Sequence, residues 1–263
     1  MTGRTSLFEL ASRAEHFRAY HRTGKPVLLP NAWDVVSARA VVDSGFSAVA
    51  TTSSGIAASL GWPDGEKIPA DDMFGAVSRI AQAVDVPVSA DIEAGYGLPP
   101  DELAERLLES GVVGCNLEDT DHASRRGLVG VETQVQRLGA LKEAARMLGV
   151  NIVVNARVDV FVREVGEPEQ RLDIALERAR RYAEADVDCV YPINAGEEDL
   201  ASFAAHHAGP VNGLVHPGRV RLGRLREMGL ARISFGSGLQ RVTIAYLRRR
   251  LSGISAGNDD WEG

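Results

Sequence analysis

The chain has 263 residues, 44% of them hydrophobic, enough to bury one large core or two small ones. A formal charge of −7 excludes a nucleic-acid footprint, and no apolar run approaches the roughly 20 residues of a membrane span. Cys115 and Cys189 follow no disulfide or zinc spacing and the first residues carry no signal-peptide core, which points to buried thiols in a cytoplasmic protein.

Residues 5–21 come first, with Leu7, Leu10, Ala14 and Phe17 at helical spacing on one side. From there the chain alternates short apolar strands with amphipathic helices. The strand segments are 27–30, 47–52, 86–91, 113–118, 152–157, 188–193, 210–215 and 232–236. Helical segments include 35–44, 101–110, 133–148 and 170–185; in the last, Leu172, Ile174, Ala175 and Ala179 form the expected buried stripe, with Arg and Glu over the rest. The helix over 239–251 ends in Arg248, Arg249 and Arg250, cations that suit a helix C-terminus. Residues from Gly253 on are small, polar and acidic, as in a disordered tail.

Eight strands, each followed by a helix, predict an α/β fold, the (β/α)8 TIM barrel. The first strand ends in Pro30-Asn31-Ala32-Trp33-Asp34, not in the glycine-rich loop that announces a doubly wound sheet. The expected organisation is a helical cap over 1–25, a barrel over 26–252 and a tail over 253–263.

Barrel enzymes place their chemistry where the strands end. Side chains two apart on a strand share a face, so Asp91 and Glu93 aim together, as do Asn116 and Glu118, and Asn155, Arg157 and Asp159. Thr51-Thr52-Ser53-Ser54-Gly55 is a hydroxyl-rich turn with backbone amides for an anion, and Asp64 follows in the next loop. Such a mouth is acidic, and Arg157 alone does not balance it; a hard divalent cation does. Asp34 reads equally as a helix N-cap, Asp64 as a turn residue, and Asp159 as a partner of Arg157. Asp119 and Asp121 are expected to face solvent. Of the six histidines, only His122 and His216 follow strands closely enough to reach the site. Gly218 and Gly236–Gly238 leave a phosphate-binding barrel open, and a catalytically silent barrel is the non-enzyme alternative.

Ser54-Gly55, Leu60-Gly61 and Asp64, then Asp91-x-Glu93-x-Gly95-Tyr96-Gly97, Leu117-Glu118-Asp119 and Asn155-Ala156-Arg157 resemble the isocitrate lyase/phosphoenolpyruvate mutase superfamily. The resemblance runs from about Leu28 to about Leu251. It implies magnesium, with manganese the alternative, held by Asp91, while Asp64, Glu93 and Glu118 act mainly through water. It implies that the Ser54-Gly55-Ile56 backbone and Arg157 bind the carboxylate of a small 2-oxo acid; Asn194 is a further substrate-binding candidate. It also implies a last helix swapped between subunits, in a homotetramer or homodimer.

The family often has Asp where Glu93 stands. Its isocitrate and methylisocitrate lyases carry a cysteine in the loop after the fourth strand, where this chain has Asp121-His122-Ala123-Ser124-Arg125-Arg126-Gly127-Leu128. By alternation Cys115 points out of the barrel. The expectation is therefore a carbon–carbon lyase or decarboxylase acting on a small dicarboxylic acid through a metal-stabilised enolate. Arg157 and Glu118 carry the site, and His122 is the candidate proton donor, with Arg125 and Arg126 on the same loop. Phosphorus–carbon chemistry is the alternative.

Overall fold

The computed structural model describes residues 5–22, 24–124, 127–216 and 220–257. Helix α1 (Leu7–Tyr20) opens with a reciprocal cap, Glu9 N donating to Ser6 Oγ (3.3 Å) and Ser6 N to Glu9 Oε2 (2.9 Å). It buries Leu10, Ala14 and Phe17. Phe17 plugs the floor of the barrel; burying a ring of that size contributes roughly 1.5–3 kcal/mol. Asp188 fastens the plug, accepting from Arg18 Nε of α1 (2.6 Å), Lys142 Nζ (2.8 Å) and the Val154 amide (2.8 Å).

All eight expected strands form, those after the first shortened at one or both ends, and all pair in parallel. The first is split into β1 (Val27–Leu29) and β2 (Asn31–Ala32), because Pro30 has no N–H to donate to a ladder. Then come β3 (Val49–Thr51), β4 (Val88–Asp91), β5 (Gly114–Glu118), β6 (Val153–Arg157), β7 (Cys189–Tyr191), β8 (Asn212–Leu214) and β9 (Arg232–Ser234). Pairing runs β2-β3-β4-β5-β6-β7 in one sheet and β1-β9-β8 in the other. The sheets meet on one side at Pro30, whose carbonyl accepts from Ala50 N (3.1 Å), and on the other through the parallel bridge Val190↔Val211. The strands thus follow one another around a ring.

The intervening helices are α2 (Val35–Asp43), α3 (Ser53–Ser59), α4 (Ala70–Gln82), α5 (Pro100–Glu109), α6 (Val131–Met147), α7 (Arg171–Ala183), α8 (Glu197–His206), α9 (Leu222–Glu227) and α10 (Gly238–Ser255). Three expectations change. On α7 the buried residues are Ala175, Arg178, Ala179 and Tyr182, so an arginine lies inside the stripe. Helix α10 runs three residues into the expected tail, which puts Arg248–Arg250 inside the helix and not at its end. Residues 258–263 lie outside the described residues. Among the described residues no helix is long and apolar enough to cross a membrane.

Candidate functional site

Asp91 ends β4 with its side chain inward. Its Oδ2 accepts from the Ser53 amide (3.1 Å) and the Ser53 hydroxyl (2.8 Å), while its own amide donates to Thr51 Oγ1 (2.9 Å). The expected hydroxyl-rich turn is thus the first turn of α3, whose positive end faces Asp91. The other oxygen, Oδ1, has only long contacts among the described residues, to Asn116 Nδ2 (3.5 Å) and Arg157 Nη1 (3.8 Å).

Glu118 ends β5, beside Arg157 at the end of β6; the two are register partners. Glu118 Oε1 lies 2.7 Å from His122 Nε2 and Oε2 lies 2.5 Å from Arg157 Nη1. That second oxygen is buried with no well-aligned donor among the described residues. Burial holds Glu118 well above the usual carboxylate range; Arg157 opposes the shift, and Asp159 and Asp91 add to it. Burial disfavours the Arg157 charge, but Asp159 and Glu118 outweigh it and keep the guanidinium protonated.

Arg157 is gripped from behind. Its Nε and Nη2 donate to the two oxygens of Asp159 at 2.6 and 2.7 Å. Thr120 Oγ1 donates to Asp159 Oδ2 (2.6 Å), and the Asp159 amide donates to Asp119 Oδ1 (2.8 Å). Asp119 is fully buried, contrary to the expected solvent position: its Oδ2 accepts from Arg178 Nε (2.7 Å) and Tyr182 OH (2.6 Å) of α7. It points out of the barrel, as its neighbour Glu118 points in, and outside the barrel here is helix.

The loops before α4 and after β4 supply the other acids. Asp64 is exposed at the rim, yet partial desolvation and the Asp91 charge raise its pKa. Glu93 is buried, and both its oxygens are engaged, Oε1 by Tyr96 OH (2.8 Å) and Oε2 by the Glu66 amide (2.6 Å). Desolvation pushes it up to about 7; the Tyr96 hydrogen bond opposes this and the Asp64 charge adds to it.

Of the substrate candidates, the Ile56 amide is already used, donating to Thr52 O (2.9 Å), and the Ile56 side chain is fully buried. The Gly55 amide has one long contact, to Thr52 Oγ1 (3.4 Å), and the Ser54 amide has none among the described residues. Glycine is required at 55: a Cβ there would lie 2.6 Å from Thr52 Cγ2. Asn194 is exposed with φ +63°, just past β7, and among the described residues no hydrogen bond joins it to the site. Asp34 caps α2, accepting from Ser37 N (2.7 Å), and stays outside the site. His216 pairs with Val220 through the backbone. Arg125, Arg126 and Gly218 lie outside the described residues. Cys115 and Cys189 are buried thiols pushed up to about 12 by desolvation.

Among the described residues no three His, Cys, Asp or Glu side chains are gathered to ligate one ion directly. The donor set that is present suits magnesium, which takes one or two carboxylates and keeps its waters. Asp91 Oδ1, turned to the mouth, and the poorly satisfied Glu118 Oε2 are the oxygens that fit. Sequence reading missed Glu66, Arg178 and Tyr182, none of which stands in an acid–strand pattern, and placed Ser53 in the turn without its bond to Asp91.

The phosphoenolpyruvate phosphomutase family model matches residues 17–255. The chain is 34% identical over 223 residues to an uncharacterized protein of Mycobacterium tuberculosis, covering 84% of this chain and 81% of that one. It is 30% identical over 192 residues to 2-methylisocitrate lyase of Bacillus subtilis, covering 70% of this chain and 60% of the lyase. A putative phosphonomutase from Burkholderia cenocepacia J2315 superposes with TM-score 0.82 and 36% identity, over 92% of this chain and 99% of that one.

Proposed function

Because the chain belongs to the phosphoenolpyruvate phosphomutase family, we propose that it is a carbon–carbon lyase acting on a small 2-oxo or 2-hydroxy dicarboxylic acid. Oxaloacetate decarboxylation is the simplest reaction of that kind. One observation carries the reading: Asp91 Oδ1 and Arg157 Nη1 face each other across 3.8 Å, one able to hold a cation and the other an anion.

Magnesium, or manganese, would supply Lewis-acid stabilisation of the charge that develops on the 2-oxo oxygen. Asp91 would hold the ion, and Asp64 and Glu118 would reach its waters. Arg157 Nη1 and the Ser54 and Gly55 amides bind the substrate carboxylate and offset its charge. The C3–C4 bond breaks, carbon dioxide leaves, the electron pair moves toward the 2-oxo oxygen, and C3 takes a proton. His122, hydrogen-bonded to Glu118 at 2.7 Å and 18% exposed, is the donor. No cysteine of the described loop competes for that role. Enzyme-dependent pyruvate release above the spontaneous rate tests the reaction. His122→Ala should lower turnover about 100-fold; full turnover in that variant removes the proton assignment.

Likeness to the Burkholderia protein favours cleavage at phosphorus as the second reading. Turnover of phosphonopyruvate in place of oxaloacetate would select it. Support for an assembly comes from α10, which buries only Gly238 and exposes Val242, Tyr246, Leu247 and Leu251. An apolar helix face of this kind is suited to a second copy of the chain, in a homodimer or homotetramer.

A further inference from the structure

The geometry points to Glu93 acting as the centre of a latch, with Glu66 and Tyr96, that holds the Asp64 loop over Asp91. The inference rests on the metal-site reading above.

Alternation aims Glu93 beside Asp91 only while the backbone stays extended. The strand stops at Asp91, and Glu93 has φ +50°, so strand alternation no longer sets its direction. It meets the loop that carries Asp64. The Glu66 amide donates to Glu93 Oε2 (2.6 Å), the Tyr96 hydroxyl to Glu93 Oε1 (2.8 Å), and the Tyr96 amide to Glu66 Oε1 (2.6 Å). Two of these bonds cross between the loops, one in each direction, and the third, from Tyr96 to Glu93, braces the carboxylate from within its own loop; both oxygens of Glu93 take part.

Backbone strain marks the same three residues. Glu66 (φ 55°), Glu93 (φ 50°) and Tyr96 (φ 56°) all occupy the left-handed region, which non-glycine residues hold only where the surroundings over-determine it. The mutual hydrogen bonds are that constraint. Glutamate is needed at 93, since its additional methylene relative to aspartate lengthens the reach to the Glu66 amide. Two residues upstream of Glu66 stands Asp64, and between them Gly65 lies against His122: a Cβ on it would be 3.7 Å from Nδ1. The latch thus sets the position of one acid at the mouth and the wall facing the candidate proton donor.

Hydrogen–deuterium exchange of peptides covering 62–68 and 92–98, together with calorimetric titration of manganese alone, tests this. Tyr96→Phe, which deletes one hydroxyl, and Glu66→Ala should both accelerate exchange at 62–68 and weaken manganese binding about tenfold, the usual effect of losing a group behind a ligand. Glu66→Gln, which still accepts from the Tyr96 amide, should restore most of both. Melting temperatures of every variant must stay above the titration temperature, and Tyr96→Phe stands as the decisive variant where Glu66→Ala does not fold. Unchanged exchange and affinity in Tyr96→Phe, with affinity lost in Glu93→Gln, would make Glu93 a metal-facing acid alone and overturn the latch. Asp91→Ala separates the two levels: manganese binding retained in that variant contradicts the metal-site reading itself.

Discussion

Asp159 takes two of the three guanidinium nitrogens of Arg157, Nε at 2.6 Å and Nη2 at 2.7 Å, and leaves Nη1 facing the mouth beside Glu118 Oε2 (2.5 Å). An arginine held this way presents one donor in one direction and loses little freedom when an anion arrives. What fixes Asp159 is a buried chain through Thr120 and Asp119 to Arg178 and Tyr182 on α7.

Removing Arg178 leaves the Asp119 carboxylate buried with its cation gone. Arg178→Met should cost roughly 3–5 kcal/mol of stability, whereas Tyr182→Phe, which leaves Arg178 in place, should cost about 1 kcal/mol. Urea unfolding measures both. Equal losses in the two variants would mean that Arg178 is not the main partner of Asp119.

His21 is buried below the barrel, its Nδ1 3.0 Å from Phe17 O and its ring edge-on to Phe17. Desolvation, followed by the Arg232 charge, depresses its pKa from 6.5 to about 4. The folded protein therefore keeps His21 neutral while the unfolded chain takes up a proton. Stability from this group is complete above pH 6.5 and falls as pH drops toward 4. Between pH 7 and pH 4 the loss should be roughly 3 kcal/mol. His21→Gln should flatten that part of the stability–pH curve relative to the parent protein; parallel curves would refute the assignment.

Gly114 opens β5 where the floor is tightest. A Cβ there would stand 2.8 Å from Val153 O and 2.9 Å from Phe17 Cε1. Gly114→Ala should destabilise by about 1–3 kcal/mol, because neither a strand carbonyl nor a plugged ring yields cheaply. A denaturation midpoint unchanged from the parent would show that α1 moves freely.

Alternation made much of the site legible. Asp91, Glu118 and Arg157 were read from strand ends because inward positions recur every second residue, and that rule holds through the last extended residue. One step beyond, alternation no longer applies: Glu93 has left the extended backbone, and its hydrogen bonds to Glu66 and Tyr96 set its place. Asp119 reads as solvent-facing because it stands in the loop just past the strand end, whereas the outer side of the barrel there is covered by helix. Arg178 was hidden for the related reason that charge on an amphipathic helix reads as exposed, and only its distant partner Asp119 makes it interior. Pairs far apart in sequence, such as Glu66 with Tyr96, leave no local pattern at all.

Helix α10 exposes Val242 (61%), Leu247 (48%) and Leu251 (54%), surface that an isolated 28.2 kDa chain would leave in water. Sedimentation should give a species at least twice that mass, and Leu247→Glu with Leu251→Glu should shift it toward the monomer. A parent protein that sediments as a single chain would remove the proposed assembly.

The most direct experiment is pyruvate release from oxaloacetate in magnesium, corrected for spontaneous decay, in the parent protein and in Asp91→Ala. Enzyme-dependent release in the parent, abolished when Asp91 is removed, is the expected result. Release that persists in Asp91→Ala would contradict the site, and no release from the parent protein, with magnesium and oxalate still bound, would contradict the carbon–carbon cleavage.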